Sequence, residues 1–202
     1  MSNFSIDSFS RAIINIINAP TYSDISIETA FHCVLCLINI MDIFPTSVNI
    51  IINCQGVSAL SQKIQNLEYI DLAEKAIKAL EKISSESAVS VLANANLDAI
   101  LNIMDFFDLS VQTSIFRMLS NICFNLNRED DLRKLMPMIP TLTNLFEIRG
   151  TSDKHSEIFE LMCASFQSIC DSPLRFKDPY TNFAIVSKYY EEINAFGIMD
   201  KC

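Results

Sequence analysis

Along Ile70 to Ile83 (IDLAEKAIKALEKI) the apolar positions Leu72, Ala76, Leu80 and Ile83 recur at helical spacing, and Ala73 and Ile77 form a second row beside them. Side chains so spaced share one side of an α-helix, so the stretch predicts a helix with a broad buried face. Asp71 fits its N-cap, and Glu74 three residues later completes a capping-box pattern. Asp71 with Lys75, and Glu74 with Lys78, are acid-first pairs at i,i+4 that would support the wet face. The four-position row returns 39 residues on as Val111, Ile115, Leu119 and Ile122. Ala30, Cys33, Leu37 and Ile40 form it upstream, and Met162, Phe166 and Ile169 continue it downstream. A helix that recurs in this way is one rung of a repeat, in which each unit buries its apolar face on its neighbours.

The remaining elements fit units of about 40 residues. Phe9, Ile13, Ile14 and Ile17 predict a first helix over 9–18, with Ser8 as its cap and the Ala19-Pro20 step as its end. A long helix follows over 27–44 and stops at Pro45. Residues 45–93 predict a short helix (46–52), a turn at Cys54-Gln55-Gly56 with glycine supplying the permissive backbone, a second helix (57–67) and the long third one. The order returns as 87–93, 97–107 and 111–126, and again, more loosely, as 129–136, 137–148 and 155–170, with the extra length in the loop 149–154. Tyr180 to Ala195 would open a further unit. Repeats of three helices, two long and one short, form the armadillo pattern, and HEAT pairs are the near alternative. The expectation is an all-α, right-handed α-α superhelix of about four repeats in a single domain, 1–202. Its approximate repeats are 8–44 (partial), 45–83, 86–126, 129–170 and 180–202 (partial).

Composition narrows the function. Half of the 202 residues are hydrophobic, with three glycines and no tryptophan, which suits helices better than sheets and turns. The net charge is −9, with 10 acids against 5 bases in residues 1–100 and 14 against 10 afterwards. Neither half offers a basic footprint, so no nucleic acid and no membrane surface is expected as a partner. The greasiest run, Cys33 to Phe44, is interrupted by Asn39 and Asp42 and is shorter than the roughly 20 residues of a membrane helix. The N-terminus has no basic region and its apolar run is broken by Asn15 and Asn18, unlike a signal peptide. Seven scattered cysteines suggest reduced thiols and a cytoplasmic or nuclear setting.

The stretches YIDLAEKAIKALEKIS, NLDAILNIMDFFDLSVQTSIF and MDIFPTSVNIIINCQGVSAL resemble the N-terminal armadillo-like region of HECT-type E3 ubiquitin ligases of the ubiquitin-fusion-degradation and thyroid-receptor-interacting branch. The resemblance covers roughly Glu28 to Asp171 and is most specific at Ile70 to Ile83 and Asp105-Phe106-Phe107. It implies a module that recognises substrates, including a ubiquitin moiety already on them, for a distant C-terminal HECT domain whose cysteine carries ubiquitin as a thioester. A HECT domain alone is longer than this chain, and nothing here resembles its catalytic loop, so the expectation is a fragment of a larger ligase. The alternative is a general armadillo or HEAT scaffold unrelated to ubiquitin.

His32-Cys33 with Cys36 lacks the second ligand pair of a zinc site, and both thiols are expected in the core. Cys123, Cys163 and Cys170 sit in apolar rows that would raise a thiol pKa, so no catalytic residue is assigned. Glu129-Asp130-Asp131 and Glu157/Glu160 fit solvated helix surface. No cofactor, metal or small-molecule substrate is expected. Stacked third helices would place Lys75, Lys78, Lys82 and Arg117, flanked by Asn121, in a cationic strip for protein partners such as substrate, ubiquitin or ubiquitin chains. Nuclear-import adaptors carry Trp and Asn at the positions of Arg117 and Asn121, and basic side chains there would repel a basic peptide.

Overall fold

The computed structural model describes residues 5–19, 27–149 and 156–176, with single helical positions at Ser187, Glu191 and Asn194. Among the described residues there is no strand. The helices are α1 (Ile6–Asn18), α2 (Ile27–Ile43), α3 (Ser47–Asn53), α4 (Gly56–Ile64), α5 (Ile70–Asn94), α6 (Leu97–Asn102), α7 (Leu109–Phe124), α8 (Glu129–Leu135), α9 (Ile139–Arg149) and α10 (Ser156–Arg175). Short 3-10 turns at Leu67–Tyr69, Met104–Phe106 and Met136–Met138 lead into or out of them. The chain divides into two compact units, Met1–Ile115 and Phe116–Cys202, and the division falls within α7.

In the first unit, α1 packs on α2, α3 and α4, while α5 packs on α2 and most extensively on α4. The apolar rows account for this. Leu72, Ala73, Ala76, Ile77, Leu80 and Ile83 of α5 are all buried, which explains why one helix carries two adjacent rows. Each fully buried Leu or Ile contributes roughly 1.5–3 kcal/mol. Ile40 is the exception in the α2 row, being only half-buried, and Met41 is buried beside it. In α1, Ile13, Ile14 and Ile17 are buried but Phe9 is exposed.

Local signals were less faithful. The N-cap of α1 is Ser5, not Ser8, and its hydroxyl accepts from the Ser8 amide at 3.4 Å. Asp71 does not cap α5: the 3-10 turn runs straight into the helix through Tyr69, leaving Asp71 inside the first turn without a capping-box bond. Neither Asp71–Lys75 nor Glu74–Lys78 closes an ion pair, since α5 takes its stability from its buried rows. The expected break before Ser87 is a kink within α5, with Ser87 at φ −150° and ψ 71°. The serines there account for it: Ser84 and Ser85 hydroxyls donate to the carbonyls of Glu81 and Lys82, and Ser87 and Ser90 Oγ lie 2.8 Å apart.

The turn between α3 and α4 reverses the expected roles of its residues. Gln55, not Gly56, adopts the left-handed conformation (φ 62°). Gly56 is required by proximity: a Cβ there would lie 2.5 Å from Ile51 Cγ2 and 2.8 Å from the Ile51 carbonyl oxygen.

In the second unit, α10 packs on α8 and α9. Phe146 of α9 stacks on Phe159 and meets Phe166 edge-on, with centroids 5.2 and 5.4 Å apart. The helix α10 runs beyond Cys170 and through Pro173 to Arg175. Proline has no N–H for the carbonyl four residues back, which is that of Ile169. The Ser172 hydroxyl supplies the donor instead, at 2.7 Å. The loop 150–154, His155, and the expected final unit lie outside the described residues, apart from the helical positions Ser187, Glu191 and Asn194.

Candidate protein-binding surface

The cations singled out from sequence fall on two helices. Lys75, Lys78 and Lys82 follow one another on α5 at i, i+3 and i+7, and each is half-buried, so their aliphatic stems lie against the helix surface while their ammonium groups reach outward. Arg117 is exposed and Asn121 half-buried, one turn apart on α7. These two sets belong to different compact units. Two of the cations are engaged. Lys82 Nζ pairs with Asp42 of α2, and Arg117 pairs with Glu157 of α10, its Nε 3.2 Å from Oε1. Lys75 and Lys78 make no ion pair or hydrogen bond among the described residues, so their charges are available to a partner.

The cysteines divide by environment. Cys33 is buried, and burial, with Cys36 nearby, pushes its thiol up from its usual range. Cys36 is exposed, contrary to the core position expected, because three residues along a helix carries it beyond the buried stripe. Burial pushes the Cys123 thiol up to about 12, and Cys163 and Cys170 are half-buried. At Cys33 and Cys123 the surroundings therefore favour the neutral thiol over the thiolate. No cluster of potential metal ligands occurs among the described residues, and no helix there is long and apolar enough to cross a membrane.

The acidic run Glu129-Asp130-Asp131 is not uniformly solvated. Asp131 is buried and accepts from Arg128 Nε at 2.8 Å and Nη2 at 2.9 Å, a two-pronged ion pair at the start of α8. Glu129 pairs with Arg133 one turn on. The carboxylate pair raises the Arg128 pKa, first through the Asp131 hydrogen bond.

Sequence reasoning missed a cleft in the first unit. Its lining includes Glu28 and Phe31 of α2 together with Glu68, Tyr69, Ile70 and Asp71 at the start of α5. The signal was present: the 43-residue shift that superposes Cys33 and Leu37 on Ala76 and Leu80 also superposes Glu28 on Asp71.

The architecture defines the class: an all-α helical-repeat protein. Its fold resembles that of an engineered protein solved by crystallography, with a TM-score of 0.63 at 14% identity over 89% of this chain and 40% of that one. Residues 1–93 match the family described as E3 ubiquitin-protein ligase TRIP12-like, TPR repeats. The chain is 33% identical over 147 residues to E3 ubiquitin-protein ligase UPL3 of Arabidopsis thaliana, covering 73% of this chain and 8% of that protein. It is 27% identical over 120 residues to ubiquitin fusion degradation protein 4 of Saccharomyces cerevisiae (59% and 8%) and 24% identical over 172 residues to E3 ubiquitin-protein ligase TRIP12 of Danio rerio (85% and 8%). The chain is therefore homologous to the N-terminal helical-repeat region of the ubiquitin-fusion-degradation and TRIP12 branch of E3 ubiquitin ligases, and spans under a tenth of these relatives' length.

Proposed function

We propose that this chain is the recognition module of a HECT-type E3 ubiquitin ligase, binding substrate or ubiquitin for ubiquitin-dependent degradation in the cytosol or nucleus and performing no chemistry itself. The observation that carries this reading is the sequence similarity to two E3 ubiquitin-protein ligases and a ubiquitin fusion degradation protein, each over a stretch of 120 to 172 residues. A repeat stack presents a long preformed surface on which several modest contacts add up, which suits protein partners. The ammonium groups of Lys75 and Lys78, uncommitted among the described residues, are the contacts proposed on α5 in the first unit; Arg117 and Asn121 of α7 are proposed separately, as contacts of the second unit. Charge reversal tests it. K75E/K78E and R117E variants, checked for helicity, are expected to bind ubiquitin, ubiquitin chains or acidic peptides at least about fivefold more weakly, the loss of about 1 kcal/mol. Unchanged affinity in folded variants would remove these residues from the surface. A reducible ubiquitin adduct formed by the isolated chain with charged conjugating enzyme would overturn the non-catalytic assignment.

A further inference from the structure

The starts of α2 and α5 enclose a cleft of about 380 Å³ in the first unit. Phe31 and Tyr69 are half-buried in its walls, and Ile70 is 39% exposed. Among the described residues, three carboxylates, Glu28, Glu68 and Asp71, lie along it and no lysine or arginine lines it. Glu28 sits 4.0 Å from His32 Nε2 one turn along α2, with its side chain 83% exposed. Glu68 and Asp71 carry no ion pair among the described residues, and Asp71 does not engage Lys75 although the spacing permits it. Two helix N-termini meet at the cleft, each equivalent to about half a positive charge. Against three full negative charges they leave the site strongly anionic.

We propose that this cleft is a docking site for a basic side chain, lysine or arginine, presented by a protein partner. Both halves of such a side chain are matched. The methylene stem lies on Phe31, Tyr69 and Ile70, and the cationic head reaches the carboxylates while facing the aromatic rings. The volume lies at the lower end of the roughly 300–1,000 Å³ of ligand sites, enough for one or two side chains. An acidic ligand meets like charge, and a purely apolar one leaves the carboxylates without a counter-ion. The site goes beyond the recognition of ubiquitin and stands without it, because it opposes the lysine row of α5 in sign and uses other residues.

Amide NMR shifts of the full 202-residue chain, titrated with the acetylated amides of lysine, arginine and norleucine, test the proposal. Lysine and arginine amides are expected to give saturable shifts centred on Phe31, Tyr69 and Ile70, with norleucine amide at least about fivefold weaker. In unmodified protein, about 0.5 M salt is expected to weaken the lysine response and leave norleucine unchanged. An E68Q/D71N variant with an otherwise unaltered spectrum is expected to lose the preference for cations. Equal responses to lysine and norleucine, salt-independent lysine binding, or shifts centred elsewhere would overturn it. Loss of ubiquitin binding in K75E/K78E has no bearing on these readouts, so the two proposals fail separately.

Discussion

Lys82 on α5 pairs with Asp42 on α2 across 40 residues of sequence, and Arg117 on α7 pairs with Glu157 on α10 across the same interval. The polarity differs between them: the acid comes first in one pair and the base first in the other. Side chains one repeat apart thus meet across neighbouring long helices, which joins the period of the sequence to a lateral contact in the fold.

Both pairs are partly exposed, so their value is modest. A double-mutant cycle with Lys82→Met and Asp42→Asn is expected to give a coupling of about 0.5–1 kcal/mol in chemical denaturation, falling toward zero in about 1 M salt. A coupling that salt does not touch would mean that the contact is packing of the lysine stem.

The α3–α4 turn gives a sharper contrast. Gly56→Ala gains helix propensity of about 1 kcal/mol at most, but its methyl must enter space already held by Ile51 side chain and backbone. The net expectation is a loss of about 2 kcal/mol. Gln55→Gly relieves a positive φ and is expected to be neutral or stabilising by up to about 1 kcal/mol. Equilibrium urea denaturation of both variants would decide, and a destabilising Gln55→Gly with a harmless Gly56→Ala would reverse the assignment.

Arg175 ties two helix ends together. It donates to the carbonyls of Phe124 (2.8 Å) and Cys123 (3.3 Å) at the end of α7 and to that of Ser168 (2.7 Å) on its own helix. Arg175→Met is expected to cost about 2 kcal/mol, and Arg175→Lys to recover only part of it, because one ammonium cannot reproduce the fork. Thermal denaturation of the three proteins reads this directly.

Cys123 predicts a loss of stability at high pH. Burial raises its thiol from about 9 to about 12 in the folded chain. The neutral form is favoured by folding, so the contribution is complete below about pH 9 and declines as the unfolded thiol ionises, by up to about 1.4 kcal/mol per pH unit until pH 12. Cys123→Ala is expected to flatten the dependence of the unfolding midpoint on pH between 9 and 11. An unchanged slope would place the effect in another group.

The third-helix rows were legible in the sequence because burial on a neighbouring unit demands the same helical spacing wherever the unit recurs. That logic located Leu72 to Ile83, Val111 to Ile122 and Met162 to Ile169, and with them the homology to the ligase branch. It could not assign Ser5 over Ser8 as a cap, or keep Asp71 from one, because several polar residues near a helix start can accept the same amide and only the entering backbone chooses among them. It placed Pro173 after a helix end, since the Ser172 hydroxyl that replaces the missing amide depends on a rotamer. It treated Gly56 as a conformational residue when the close approach of Ile51 is what excludes a side chain.

The sequence by itself determined the helical repeat, the period near 40 and the polar character of α5's outer face, because these follow from which residues seek burial. The tertiary structure decided which charges were left over. Lys82 is committed to Asp42 and Arg117 to Glu157, while Lys75 and Lys78 pair with none of the described residues and Glu28, Glu68 and Asp71 gather beside Phe31 and Tyr69. These two ion pairs and this cleft form between segments about 40 residues apart, so they depend on the packing of one helix against another and not on the pattern within either.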